Sequence, residues 1–462
     1  MKGGREAALL ERAGVEEKDY NWVEAARLYE KAAKALLGKK MVKKAAEIRE
    51  QMGFCLYRAA LQAKTQNDFG SRMKLAVGAY ERAAELFEKV EEEGKGARVD
   101  FSKAMAAYAS SWLVADPSKK RELLDECWRL GKEVLKDYEE AGDRLNYGKV
   151  CNDLLEGCLN YRLWLESNWP ELERMIEERL SYGEKAIVAL SEVGDDYELA
   201  RAYSWTSWYY AWAVWFRALE ERREEFGRKC LSYSKKALKL SEKIGDPYLN
   251  SMSNFSAGLG AFFYDVNPYS ALEFFEDQQK HGAIANDNYL IGSASMWIGL
   301  ITSAIMAYLE EDPDKQREES KKAIEHTHNA IRHLRIIAEY SVLLMGYYSC
   351  AESFTWLAVI ETNPEAKRVL LEKAVEVGRE GLGHAEGSGC PVSTRHVFHA
   401  LSNALYWLSN MEAKVSEKRR LLEEALKYRE KDINIAQQLS PFDYWSRARS
   451  QNFLALIEAE PI

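Results

Sequence analysis

Apolar residues recur along this chain with the spacing of amphipathic helices. In the segment 25–36 they follow steps of three and one, at Ala25, Leu28, Tyr29, Ala32, Ala33 and Leu36. Such steps place the side chains on one face of a helix, whereas a strand would alternate every second residue. The same period returns through most of the 462 residues, and strand-like alternation is rare. The pattern predicts an all-α protein.

A four-residue pattern repeats within these segments: an aromatic, aliphatic or small residue, two polar residues, and alanine. It ends at Ala32, Ala83, Ala186, Ala237, Ala323, Ala374 and Ala425. Four of the intervals between neighbouring alanines are 51 residues, and the interval of 103 residues after Ala83 is about two periods. A fixed period of this length is typical of helical-repeat proteins. It accommodates two helices of about 20–25 residues and two short turns.

Turn residues support the same division. Gly142-Asp143, Gly194-Asp195 and Gly245-Asp246 each follow an amphipathic segment. Glycine suits the left-handed position that ends a helix, and aspartate caps the start of the next one. Eight of the nine prolines lie at or beside the predicted turns, where the first turn of a helix tolerates them. We therefore expect about nine antiparallel helix pairs in one continuous domain, 1–462, with a half-repeat cap at 1–17 and a capping helix at 441–459.

The segment 258–275 resembles the core of a tetratricopeptide repeat. Leu259-Gly260 match the Leu-Gly pair of that family, Phe263 its large aromatic residue, and Tyr269, Ala271 and Phe275 its positions on the second helix. The turn is one residue shorter than in the family. Residues 250–282 thus form the unit of near-consensus length, and the longer units resemble the family in architecture. The resemblance implies a right-handed α-solenoid, a superhelix similar to that of tetratricopeptide-repeat (TPR) proteins.

The resemblance also implies where a ligand would bind, because the first helix of each pair lines the concave groove in that family. When the family's pattern is aligned on Leu259-Gly260, Asn254 and Tyr264 fall in the groove. Tyr203, which lies 51 residues before Asn254, is expected there too. Tyr210 is added as an aromatic residue off the main tryptophan stripe of its helix. Tyrosine and asparagine suit a peptide-binding groove, since they combine contact area with hydrogen-bonding groups. The basic clamp that the family uses for a peptide carboxylate is not recognisable.

Six of the seven histidines lie between residues 326 and 399. His333 and His384 are 51 residues apart, and His396 and His399 are one helical turn apart. Imidazole is a common Zn²⁺ ligand, so these four form a candidate metal site. The spacing matches no known ligand pattern, and structural packing of the histidines is the alternative. No cofactor is expected.

Charge and composition narrow the partners. The net charge is −9 with both signs interspersed, which disfavours nucleic acid and anionic membrane surfaces. The uncharged stretch 288–309 is long enough to span a bilayer, but it falls in register with the repeats and contains polar residues. Seven cysteines without a CxxC pair indicate reduced thiols, as in a cytoplasmic protein. We expect a protein or peptide as the partner.

Motifs for catalysis are missing from the sequence: it contains no Gly-rich phosphate loop, HExxH or GxSxG. The favoured interpretation is a non-enzymatic adaptor or scaffold that binds a protein or peptide in its concave groove. Two alternatives stay open. One is the sensor part of a signalling system that binds a small molecule, and the other is an α/α enzyme with carboxylates on distant turns.

Overall fold

The computed structural model describes residues 5–91, 95–216, 220–303, 309–439 and 455. In these ranges the regular elements are helical, with one short 3₁₀ turn at Glu220–Arg222. The α-helices are α1 Arg5–Lys18, α2 Trp22–Gly38, α3 Val42–Leu61, α4 Gln66–Glu88, α5 Lys95–Ser111, α6 Pro117–Glu140, α7 Arg144–Glu156, α8 Cys158–Trp164, α9 Trp169–Val193, α10 Asp196–Phe216, α11 Arg223–Ile244, α12 Pro247–Phe263, α13 Pro268–Ala285, α14 Asn288–Ile301, α15 Pro313–Ile336, α16 Tyr340–Ile360, α17 Pro364–Ser388, α18 Pro391–Ser409 and α19 Val415–Leu439.

Consecutive helices pack against each other, and the described ranges contain nine such pairs. The helix broken at Gly157 into α7 and α8 counts as one member of its pair. The prediction of an all-α, TPR-like solenoid is confirmed. Helices α12 and α13, which contain the near-consensus unit 250–282, have 17 and 18 residues. The predicted capping helix at 441–459 lies outside the described ranges, apart from residue 455, and the predicted cap at 1–17 falls largely on α1.

The alanines that mark the 51-residue period occupy equivalent places. Each is fully buried on the second helix of its pair: Ala32, Ala83, Ala186, Ala237, Ala323, Ala374 and Ala425. A small residue at this place lets the second helix approach its neighbours closely. The second helix of a pair, here called the outer helix, buries one stripe of side chains, as α11 does. The first helix, here called the inner helix, is buried around most of its circumference in α12 and α16. Such all-round burial is expected of a helix with neighbours on every side.

The predicted turns are also formed as expected. Gly142, Gly194 and Gly245 have φ angles of +69°, +78° and +77°, the left-handed region that glycine adopts readily. The aspartate after each glycine caps the next helix. Asp143, Asp195 and Asp246 accept hydrogen bonds from backbone N–H groups three residues later, at 3.1, 3.0 and 2.8 Å. Local sequence therefore determines where these helices stop and start.

The row of pairs curves until units far apart in the sequence meet around the axis. Asn288 donates hydrogen bonds to the backbone oxygens of Leu61 and Ala63 at 2.7 and 2.8 Å, and Gln62 donates one to the oxygen of Ala285 at 2.8 Å. These contacts join residues more than 220 positions apart. They bring the inner helices of early and late units together along the axis. Among the described helices, none combines the length and apolar character needed to cross a membrane.

Gly389 lies at another contact between distant units. Its φ angle is +64°, and a Cβ atom there would overlap with the ring of Pro117. We expect Gly389→Ala to lower the free energy of unfolding by about 2–3 kcal/mol, from left-handed strain and overpacking together. Gly142→Ala is the matched control, because its φ is similar but a Cβ there meets no atom within 4 Å. It should lose only about 1–2 kcal/mol in denaturant titration. Equal losses for both variants would contradict the close contact with Pro117.

Candidate functional site: an axial cavity

Helices α1 to α7, α10 and α12 enclose a cavity of about 470 Å³, here called the axial cavity. Its volume lies in the range of ligand pockets. Eight aromatic residues line it: Tyr20, Trp22, Phe54, Tyr80, Phe101, Tyr138, Tyr197 and Tyr248. Eleven acidic or basic residues also line the cavity: Glu17, Lys18, Glu50, Arg58, Arg98, Lys149, Asp153, Glu156, Glu198, Arg201 and Asp246. The wall thus combines aromatic rings with an unusual density of charge.

The break at Gly157 positions two of the carboxylates. A Cβ atom at Gly157 would lie 2.9 Å from the backbone oxygen of Asp153 and 3.1 Å from the ring of Tyr108, so a larger residue would not fit. The backbone of Gly157 leaves the helical conformation, with φ of −92° and ψ of −106°, so α7 ends and α8 starts here. The break leaves Asp153 and Glu156 in the last turn of α7. The C-terminal end of a helix dipole disfavours negative charge. Carboxylates at this end need cations beside them.

Two buried arginines supply that positive charge. Arg201 donates to Asp153 and Glu156 at 2.8 Å each, and to Glu198 at 3.0 Å. Arg58 lies 3.6 Å from Glu156 and stacks on the ring of Tyr248, with 4.0 Å between the guanidinium carbon and the ring centroid. The Tyr248 hydroxyl also donates to Glu156. Glu156 is therefore the centre of an ion-pair network that joins α3, α7, α10 and α12.

The same surroundings change the acidity of the carboxyl groups. Burial raises the pKa of Asp153 to about 6, and the positive charge of Arg201 only partly opposes it. Burial also raises the pKa of Glu50, against the opposing charge of Arg98. Glu156 is different, because Arg201 and Arg58 more than offset its burial and hold its pKa below the ordinary value. Shifted acidity of this kind is common at functional sites.

Tyr20 forms part of the wall from the turn between α1 and α2. Its φ of +60° is unusual for a residue with a side chain. The hydroxyl explains why tyrosine stands where glycine is common: it donates to Asp246 at 2.8 Å and accepts from the backbone N–H of Tyr248 at 2.9 Å. These bonds span more than 220 residues of sequence. They hold the turn between α1 and α2 against the turn between α11 and α12, at the edge of the axial cavity.

The four groove residues predicted from the sequence lie elsewhere. Tyr210 donates to Glu184 at 2.6 Å, between α9 and α10, and the Tyr203 ring packs 5.3 Å from that of Tyr233 on α11. Tyr264 donates to Glu224 on α11 at 2.6 Å. Asn254 is buried and bonds to the oxygen of Asn250 within its own helix. None of the four lines the axial cavity, and binding at these positions stays a prediction.

The structure does not bring the four candidate histidines together. His333 lies 2.7 Å from the side-chain oxygen of Asn288, and His384 stacks on Tyr347. The His396 ring lies 5.0 Å from that of Tyr348, whereas His399 lies 3.1 Å from a carboxylate oxygen of Asp432. Among the described residues, no three metal-ligating side chains are placed to hold an ion.

Sequence reasoning missed the residues that line the axial cavity. The available signal was the presence of ionisable residues within mostly buried inner helices: Arg58 on α3, Asp153 and Glu156 on α7, and Glu198 and Arg201 on α10. Charged side chains are rarely buried without partners. Charges on helices that otherwise read as core therefore indicate a shared polar site.

Comparison with known proteins finds similarity of overall architecture. No protein-family model matches the chain, and no curated protein matches its sequence. A signal transduction ATPase with a tetratricopeptide repeat sensor from Pyrococcus horikoshii is 17% identical over 83% of this chain and 49% of its own, with a TM-score of 0.43. This chain thus spans about half of that protein.

Two further solved structures are similar over most of their length. A Rap protein complexed with competence and sporulation factor is 13% identical, over 90% of this chain and 98% of its own, with a TM-score of 0.49. Yeast Tom70 is 13% identical, over 98% of this chain and 95% of its own, with a TM-score of 0.32.

Proposed function

We propose that this protein is a non-enzymatic interaction scaffold that binds a short peptide segment of a partner in the axial cavity. The cavity itself is the observation that carries the proposal. It offers aromatic surface and hydrogen-bonding groups together, which suits a peptide backbone with mixed side chains. Solenoids commonly bind partners on such inner surfaces.

The chemistry of the lining favours a peptide over the small molecule of the sensor alternative. Pockets for small molecules are mostly apolar with few polar groups. Here eleven of the twenty-three lining residues are ionisable, and Tyr197 at the edge is 37% exposed. A polar chain that enters from solvent and continues outside fits this arrangement better than an enclosed apolar ligand.

One observation favours the α/α enzyme as a second candidate. The pKa of Asp153, raised to about 6 by burial, is close to the value that a general acid or base needs near neutral pH. However, Asp153 and Glu156 both accept from the same nitrogen of Arg201, as expected of an ion-pair network. Mass spectrometry of a bound peptide after incubation separates the two candidates. An intact peptide supports the scaffold, and a cleaved or modified one supports the enzyme.

The proposal can be tested by mRNA display, in which a library of random peptides is selected for binding to the immobilised full chain. Selected peptides should bind the wild-type chain and lose at least about tenfold in affinity with Gln51→Trp, whose larger side chain fills the axial cavity. Gln66→Trp, on the exposed start of α4, is the matched control and should leave affinity unchanged. Failure to select any peptide, or equal binding to the Gln51→Trp variant, would overturn the proposal.

A further inference from the structure

Negative charge exceeds positive charge in the lining of the axial cavity. Six carboxylates line it, Glu17, Glu50, Asp153, Glu156, Glu198 and Asp246, against five cationic groups, Lys18, Lys149, Arg58, Arg98 and Arg201. The two lysines of the lining, Lys18 and Lys149, form no ion pair with these carboxylates within the described ranges. Buried carboxylates in excess of cations favour the entry of another positive charge.

Asp153 is the carboxylate with spare capacity. Its Oδ1 accepts from Arg201, whereas its Oδ2 has no partner among the described residues, and a quarter of the side chain is exposed. Both oxygens of Glu50, in contrast, are engaged, by Arg98 at 2.7 Å and Ser102 at 2.8 Å. Glu50, Tyr80 and Asp153 all line the axial cavity, so the three groups surround one space.

Arg201 does not neutralise Asp153 alone, because the same guanidinium also pairs with Glu156 at 2.8 Å and Glu198 at 3.0 Å. The free oxygen of Asp153 can therefore accept from a further cationic donor. A peptide provides such a donor in a basic side chain or in its amino terminus.

We infer that the axial cavity selects peptides with a cationic group, which it holds at Asp153, with Glu50 on the same wall. This inference rests on the proposed function. The cationic group is either a Lys or Arg side chain or the amino terminus of the peptide. The aromatic walls add cation–π attraction, which strengthens when the cation is desolvated.

Binding of the selected peptides to charge-neutralised variants tests the inference. Replacement of the basic residue by norleucine, or acetylation of the amino terminus, shows which source of positive charge matters. One of the two changes should weaken binding to the wild-type chain about tenfold or more. Asp153→Asn should weaken the unmodified peptide similarly, and the modified peptide should lose little further affinity on this variant. Glu85→Gln, on the exposed face of α4, is the matched control.

The pH dependence of affinity gives a readout that does not depend on the stability of a variant. Asp153 is faced by Arg201 and Glu198 from α10, Glu50 from α3 and Glu156 from its own helix. Because its pKa is about 6, affinity for a histidine-free cationic peptide should fall as the pH is lowered from 7.5 to 5. The Asp153→Asn variant should show a flatter profile.

The outcomes separate the two proposals. If selected peptides lose affinity with Gln51→Trp but bind equally well after norleucine substitution and acetylation, the inference is wrong and the proposed function stands. If affinity is insensitive to Gln51→Trp, the proposed function itself fails. A cationic peptide whose affinity is unchanged by both Asp153→Asn and Glu50→Gln also overturns the inference.

Discussion

The Arg58→Met variant should lose about 3–5 kcal/mol of unfolding free energy, because it removes one partner from a buried ion-pair network. Arg58 is 4% exposed, and its guanidinium lies 3.2 Å from Asp287 and 3.6 Å from Glu156. Asp287 belongs to the turn before α14, far from α3 in the sequence. Methionine keeps most of the apolar stem, so the loss reports mainly on the uncompensated carboxylates.

Two comparisons make this expectation specific. Arg27→Met, which removes an exposed arginine paired with Glu24 on α2, should leave stability nearly unchanged, because solvent screens the pair. The double variant Arg58→Met/Asp287→Asn should recover part of the loss, since removing both partners leaves less uncompensated charge. Guanidinium-induced unfolding followed by circular dichroism measures these variants together with the single variant Asp287→Asn, which completes the cycle. Losses that simply add in the double variant would show that the two residues are not coupled.

The pH dependence of this stability loss gives a further check, because its direction follows from the pKa of Asp287. Burial raises the pKa of Asp287 despite the charge of Arg58, and loss of Arg58 should raise it further. A carboxyl group with a raised folded pKa favours the folded state at low pH, where it is protonated, and loses that contribution as the pH rises through the folded value. The deficit of Arg58→Met should therefore be largest near pH 7 and shrink as the pH approaches 4.

The local features of this fold were predictable because short-range chemistry determines them. Ala83 and Ala237 mark the period since each fills a crowded place on a second helix, and Gly194-Asp195 marks a turn since one residue ends a helix and the next caps another. These constraints act within a few residues. They appear in a single sequence without knowledge of the final shape.

The axial cavity was not predictable in this way, because it depends on how far the row of helices curves. Small rotations between units accumulate until Asn288 meets Leu61, and the sequence period carries no record of those rotations. Charged residues within α3, α7 and α10 indicate a shared polar site, but the sequence alone does not show which units meet around it. Tyr203 and Asn254 do occupy equivalent positions, each eight residues after the capping aspartate of its helix, but neither lines the axial cavity.

The last pair of described helices, α18 and α19, contains a second buried ion-pair network, and we expect a large loss of stability when it is broken. Asp432 on α19 is fully buried and lies 3.1 Å from Arg395, 3.1 Å from His399 and 3.3 Å from Arg429. Burial alone would raise the pKa of Asp432, but the hydrogen bond and charge of His399 and the charges of the two arginines hold it well below the ordinary value. The carboxylate thus stabilises the contact between α18 and α19.

Asp432→Asn should lose about 3–5 kcal/mol of unfolding free energy at pH 7, because two buried arginines then lack their carboxylate. Glu417→Gln on the same helix is the matched control. Its carboxylate is exposed and pairs with Arg420, so its loss should leave stability nearly unchanged. A carboxyl group with a lowered folded pKa stabilises the fold above its unfolded value, 3.8 here, and loses this contribution as the pH falls below it. The difference between wild type and Asp432→Asn in denaturant titrations should therefore narrow once the pH falls below 4. A difference that stays constant down to pH 3 would mean that packing of the side chain, and not its charge, holds α19 in place.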